Sequence, residues 1–158
     1  MILGKKRRVG RKIDEIAVGE KLKLTEKIED KDLLLYLGLT NDANPLYIQH
    51  DYASQTPFEK PIVPTIMLTG IITSAISKYL PGPGSHIVKQ NLNFPEIVYH
   101  YETIEFLFEV MQVEVEKNMI TVSVNAKNED GKAVIEGTVT ILPPVVEENL
   151  TSRALDNF

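Results

Sequence analysis

The stretch 65-TIMLTGIITSAISKYL-80 decides how the rest of the chain is read. It carries no charge before Lys78, and up to that residue its polar side chains are only Thr and Ser. Pro64 stands just before it, where a missing N–H costs nothing at the start of a helix. The "PGPG" at 81–84 ends it firmly. The β-branched content also suits a strand, but sixteen residues is long for one. The stretch predicts a helix over about 65–80, buried on nearly all sides. Such a helix needs something wrapped around it.

The segments on either side supply the wrapping. "EKLKLTEKI" (20–28) alternates Leu22 and Leu24 with charged residues and predicts a half-buried or edge strand. "EDKDLLLYLGLT" (29–40) predicts a short helix with Asp30 or Asp32 as its N-cap. Residues 41–64 read as an irregular loop with one helical turn at 49–55. "HIVKQNLNF" (86–94) is a further strand. "TIEFLFEVMQVEVE" (103–116) puts Ile104, Phe106, Phe108 and Val110 on one face. "MITVSVNAK" (119–127) alternates strictly, as does "AVIEGTVTIL" (133–142), and "NEDG" (128–131) between them signals a hairpin turn. The pattern predicts an α+β domain, a curved antiparallel sheet around one apolar helix.

Composition bounds the function. At 158 residues the chain fits one domain, with 43% apolar and 25% charged residues. No apolar run reaches the roughly 18 residues a membrane helix needs. The basic N-terminal stretch has no apolar run behind it, so it is not read as a secretory signal. With no cysteine there is no thiolate chemistry and no Cys-ligated zinc; a cytoplasmic location is expected. Residues 5–12 hold six of the 17 basic residues, which leaves 11 basic against 22 acidic elsewhere. A body that acidic binds nucleic acid poorly. We therefore expect a flexible basic arm over 1–12, a single domain over 13–143, and a tail over 144–158. Three scattered histidines without matching carboxylates predict no metal site. His86 and His100 are expected at strand surfaces or ends, and His50 as a solvent-facing or capping residue.

The motif run "NDANPLY…DYA…TPFEKPIV…M…LPGPGS…NLNF" resembles the MaoC-like, (R)-specific enoyl-CoA hydratase family, a branch of the hot-dog fold. The likeness runs without a gap from about Tyr36 to Phe94 and more loosely to Pro143. It implies a hot-dog domain, often a homodimer. It also implies reversible addition of water across a trans-2-enoyl thioester carried by coenzyme A or acyl-carrier protein, with no cofactor. Such chemistry needs a base for water, an acid for the α-carbon and donors for the thioester oxygen.

Carried onto this chain, the resemblance makes Asp42 the catalytic aspartate. Asn44 and Pro45 fall on the "NP" that shapes the loop. Tyr47 takes the place of the catalytic histidine. Pro64 and Thr65 take the place of the "HG" before the central helix, and Thr73 that of a serine that orients the acid in some members. A phenol ionises near pH 10, so using one as resting base at neutral pH costs roughly 4 kcal/mol. A neutral tyrosine still donates a hydrogen bond or a proton. Two readings follow: a hydratase or dehydratase with Asp42 central and Tyr47 as its altered partner, or a non-catalytic acyl-thioester-binding module or silent subunit of a heterodimeric dehydratase. Thioester hydrolysis ranks below both, because 65–80 holds no carboxylate.

Overall fold

The computed structural model describes residues 10–145. Five strands form a single antiparallel sheet: β1 (Lys21–Lys27), β2 (His86–Asn93), β3 (Thr103–Glu114), β4 (Met119–Lys127) and β5 (Ala133–Leu142). Their spatial order is β1-β3-β4-β5-β2, so β1 and β2 are the edges. Four helices accompany them: α1 (Asp30–Thr40), α2 (Pro45–Ile48), α3 (His50–Ala53) and the central α4 (Thr65–Lys78).

The expected alternation places the core. Ile104, Phe106, Phe108 and Val110 of β3, and Ile120, Val122, Val124 and Ala126 of β4, are completely buried. They meet Leu68, Ile72, Ala75 and Ile76 of α4 in one cluster. Each such side chain contributes about 1.5–3 kcal/mol through loss of water contact. Register shifts at Val110/Gln112 and at Ile87/Lys89 each add a residue to one strand. Bulges of this kind bend a sheet, here around the helix. Gly137 allows β5 and β2 to pair closely: a Cβ there would meet the Asn91 carbonyl oxygen at 2.0 Å. The β4–β5 turn is as expected, with Gly131 at φ +77° and the Asn128 Oδ1 accepting from the Asp130 and Lys132 amides.

Three expectations need correction. The central helix is not buried on nearly all sides: Thr65, Ile66, Gly70, Thr73, Ser77 and Lys78 are exposed. The sheet covers only one flank of α4, and Thr and Ser on the other flank gave no charge to betray it. Second, the N-cap of α1 is Glu29, not Asp30 or Asp32. Asp32 sits at the third helical position and accepts the Glu29 amide at 2.9 Å, as a capping box requires. Third, the basic stretch is anchored at its inner end. The Arg11 amide donates to the Pro81 carbonyl at 2.9 Å, and its guanidinium pairs with Glu20. Gly10 is buried against the Gly82–Pro83 backbone, where a Cβ would lie 2.1 Å from the Pro83 oxygen. Residues 1–9 of the expected arm and 146–158 of the expected tail lie outside the described residues.

Candidate active site

The loop around Asp42 is built by the end of α1. Asn41 takes the left-handed conformation at φ 57°, which asparagine tolerates better than most residues, and stops the helix. The reversal brings Asp42 back onto Tyr36, whose hydroxyl donates to Asp42 Oδ2 at 2.8 Å. The other oxygen, Oδ1, accepts the Asn44 amide at 3.0 Å. Asn44 in turn caps α2, its Oδ1 accepting the Leu46 amide at 3.0 Å, with Pro45 in the first helical position. The Leu46 carbonyl accepts the Ile62 amide at 3.1 Å, tying this loop to the segment that leads into α4. Asp42, Asn44 and Tyr47 are all half-buried.

Two hollows lie near the loop, although neither Asp42 nor Asn44 lines either of them. A groove of about 910 Å³ runs along the open flank of α4, walled by Leu35, Tyr36, Leu39, Ile66, Gly70 and Thr73. A separate cavity of about 510 Å³ is lined by Asp30, Tyr47, His50, Lys60, Tyr99 and His100 among others. Tyr36 therefore faces one hollow and Tyr47 the other. Thr65 opens α4; the Met67 amide donates to the Pro64 carbonyl at 3.0 Å, which leaves the Thr65 and Ile66 amides as the first-turn donors with no carbonyl one turn back inside the helix. Thr73 lines the groove, but its hydroxyl donates to the Thr69 carbonyl at 3.0 Å. Among the described residues the side-chain oxygens of Asp42 are joined to Tyr36 and Asn44, not to Thr73 or Tyr47.

His100, which lines the second cavity, is one of several perturbed groups. It is largely buried rather than on a strand surface: its side chain is 11% exposed, and among the described residues neither ring nitrogen has a hydrogen-bond partner. Burial holds its imidazole below the ordinary histidine range, with Asp30 Oδ1 at 3.7 Å from Nδ1 pulling the other way. Burial also raises the Glu102 carboxyl, the nearby Lys60 opposing it. Lys60 Nζ lies 4.5 Å from the Tyr99 ring centroid, a cation–π contact. Tyr36, in the groove wall, has its phenol raised first by its bond to Asp42 and then by burial. The contact of Tyr36 with Asp42 and the burial of His100 were not read from sequence; no local period links residues 36 and 42 across a left-handed turn. Among the described residues no group of three or more His, Asp or Glu side chains could hold a metal.

The MaoC-like domain pattern matches residues 13–132, most of the chain. The chain belongs to the MaoC-like domain family. It is 32% identical over 131 residues to an (R)-specific enoyl-CoA hydratase of Rhodospirillum rubrum, covering 83% of this chain and 90% of that one. It is 27% identical to a 3-hydroxybutyryl-CoA dehydratase of Methylorubrum extorquens, covering 85% of each. Among solved structures, an unliganded R-hydratase of Pseudomonas aeruginosa superposes with a TM-score of 0.79 at 29% identity, over 87% of this chain and 88% of that one. The MaoC-like fold is thus the hot-dog expected: five antiparallel strands curved about α4.

Proposed function

We propose that this chain is a hydratase or dehydratase of acyl thioesters, adding water to a trans-2-enoyl thioester or removing it from an (R)-3-hydroxyacyl thioester. The observation that carries the reading is Asp42, a half-buried carboxylate fixed through both oxygens, one of them held by Tyr36, which lines an apolar groove. One lone pair on each oxygen stays available. In the hydration direction, Asp42 takes a proton from water as the water oxygen bonds to Cβ. Electrons of the double bond shift toward the thioester oxygen, where the first-turn amides of α4 at Thr65 and Ile66 stabilise the enolate. A protonated phenol delivers the proton to Cα. Tyr47, at the histidine position of the motif, is the residue proposed for that donation, which requires the thioester end of the substrate to reach from the groove to the cavity that Tyr47 lines. Asn44 shapes the loop, and Thr73 lines the groove proposed for the acyl chain.

Similarity to CoA-specific hydratases and dehydratases supports a CoA thioester as carrier, and acyl-carrier protein is the other carrier consistent with the same chemistry. A homodimer belongs to this reading. The open flank of α4 exposes Ile66, α1 exposes Leu35 and Leu39 beside it, and β2 has one unpaired edge. A second copy over that face would turn the groove into an enclosed channel. No helix among the described residues is long and apolar enough to cross a membrane, and a cytoplasmic location is part of the same proposal.

Incubating the protein with crotonyl-CoA and following loss of the enoyl absorbance tests the reading. Turnover above background is expected. Its absence, with saturable acyl-CoA binding by calorimetry, would favour the second reading, a binding module without catalysis, which the Tyr47 substitution supports.

A further inference from the structure

We propose that Tyr36 is a positioning residue for Asp42, its phenol holding the carboxylate toward a thioester whose acyl chain lies in the α4 groove. The inference rests on the hydratase reading of Asp42 and deepens it. Tyr36 belongs to α1 and Asp42 to the loop beyond it, so their contact depends on the left-handed residue Asn41 that folds the chain back. Thr40 reinforces the arrangement: its Oγ1 donates to the Tyr36 carbonyl at 2.8 Å and accepts the Asp42 amide at 3.4 Å. The Asn44 amide alone holds one carboxylate oxygen and leaves the other free to swing. The Tyr36 hydroxyl at 2.8 Å removes that freedom. A base must sit within hydrogen-bond reach of the water it deprotonates, and a misplacement of about 1 Å costs about 100-fold in rate.

The phenol also stays a donor. Its bond to Asp42, and then burial, push the Tyr36 hydroxyl above the ordinary tyrosine range, so it remains protonated at neutral pH. Meanwhile its ring helps wall the groove beside Ile66 and Thr73. One side chain therefore touches both the carboxylate and the surface proposed for the acyl chain. Among the described residues Tyr47 has no such bond, and it lines the other cavity. The tyrosine in contact with the acid is the one before it in sequence, not the one in the histidine position.

Tyr36→Phe tests this, because it removes one oxygen from a half-buried side chain and keeps the ring. With crotonyl-CoA, kcat is expected to fall about 10- to 100-fold while KM stays within about twofold. The same substitution on an Asp42→Ala background is expected to change the residual rate no further, since the effect passes through the carboxylate. Equal losses in both backgrounds, or wild-type kcat in Tyr36→Phe, would overturn the inference while leaving the functional reading intact. Wild-type protein without turnover would overturn both. A thermal melt of Tyr36→Phe matching the wild type establishes that the loss is not one of folding.

Discussion

Restoring histidine at position 47 places an imidazole five residues after Asp42, on the short helix α2 that Asn44 caps. If Tyr47 donates the proton to Cα, Tyr47→His alters an existing rate; if the site has lapsed, it creates one. A rise in crotonyl-CoA turnover of 10-fold or more, within the usual contribution of a general acid or base of about 10²–10⁴, marks the native site as weakened; a fall gives Tyr47 a catalytic role of its own. His100 makes a separate prediction. Burial disfavours its imidazolium in the folded chain, so the unfolded chain takes up the proton more readily. Its contribution to stability is present above the unfolded value near 6.5 and is lost as pH falls below it. The melting temperature should drop between pH 7.5 and 5, and drop less in His100→Gln. Glu102 works with the opposite sign, its raised carboxyl favouring the folded state as pH falls, so the difference between the two proteins isolates His100. An equal drop in both would remove the assignment. At this scale the turn that Asn44 and Pro45 build was legible, because short spacing carries it, while the roles of Asp42 and Tyr47 stand as proposals. Tyr36 and His100 escaped because their partners are set by a left-handed turn and by an approach between distant segments, Asp30 and His100.

Elements were legible where periodicity was clean. β3 and β4 alternate because one face meets α4 and the other does not, and both appear where the pattern put them. α4 was legible as a helix, but not as a half-exposed one, because Thr65, Thr73 and Ser77 carry no charge to mark an outer flank. That asymmetry has an energetic consequence. Ile72 is fully buried against the sheet, and Ile72→Ala should cost about 2–5 kcal/mol in denaturant unfolding, as a methylene deletion with a residual cavity does. Ser77→Ala on the open flank should stay within about 0.5 kcal/mol. Comparable losses at the two positions would mean that the outer flank is packed as tightly as the inner one.

For the molecule as a whole, the α4 flank at Ile66, Leu35 and Leu39 of α1, and Gln90 of the edge strand β2 line one groove that is open among the described residues, on a chain of 17.8 kDa. If a second copy covers it, sedimentation should give twice the chain mass, and Ile66→Asp should return it to the single-chain value by burying an unpaired charge. A single-chain mass for the wild type would remove the homodimer. The central claim is the chemistry at Asp42. It is tested most directly by comparing the initial rate of crotonyl-CoA hydration in the wild type and in Asp42→Asn, which keeps the side chain's shape and removes its charge. We expect turnover in the wild type, a loss of at least about 100-fold in Asp42→Asn, and matching melting curves. Equal rates in the two proteins would contradict the role of Asp42, and no turnover in either would contradict the hydratase itself.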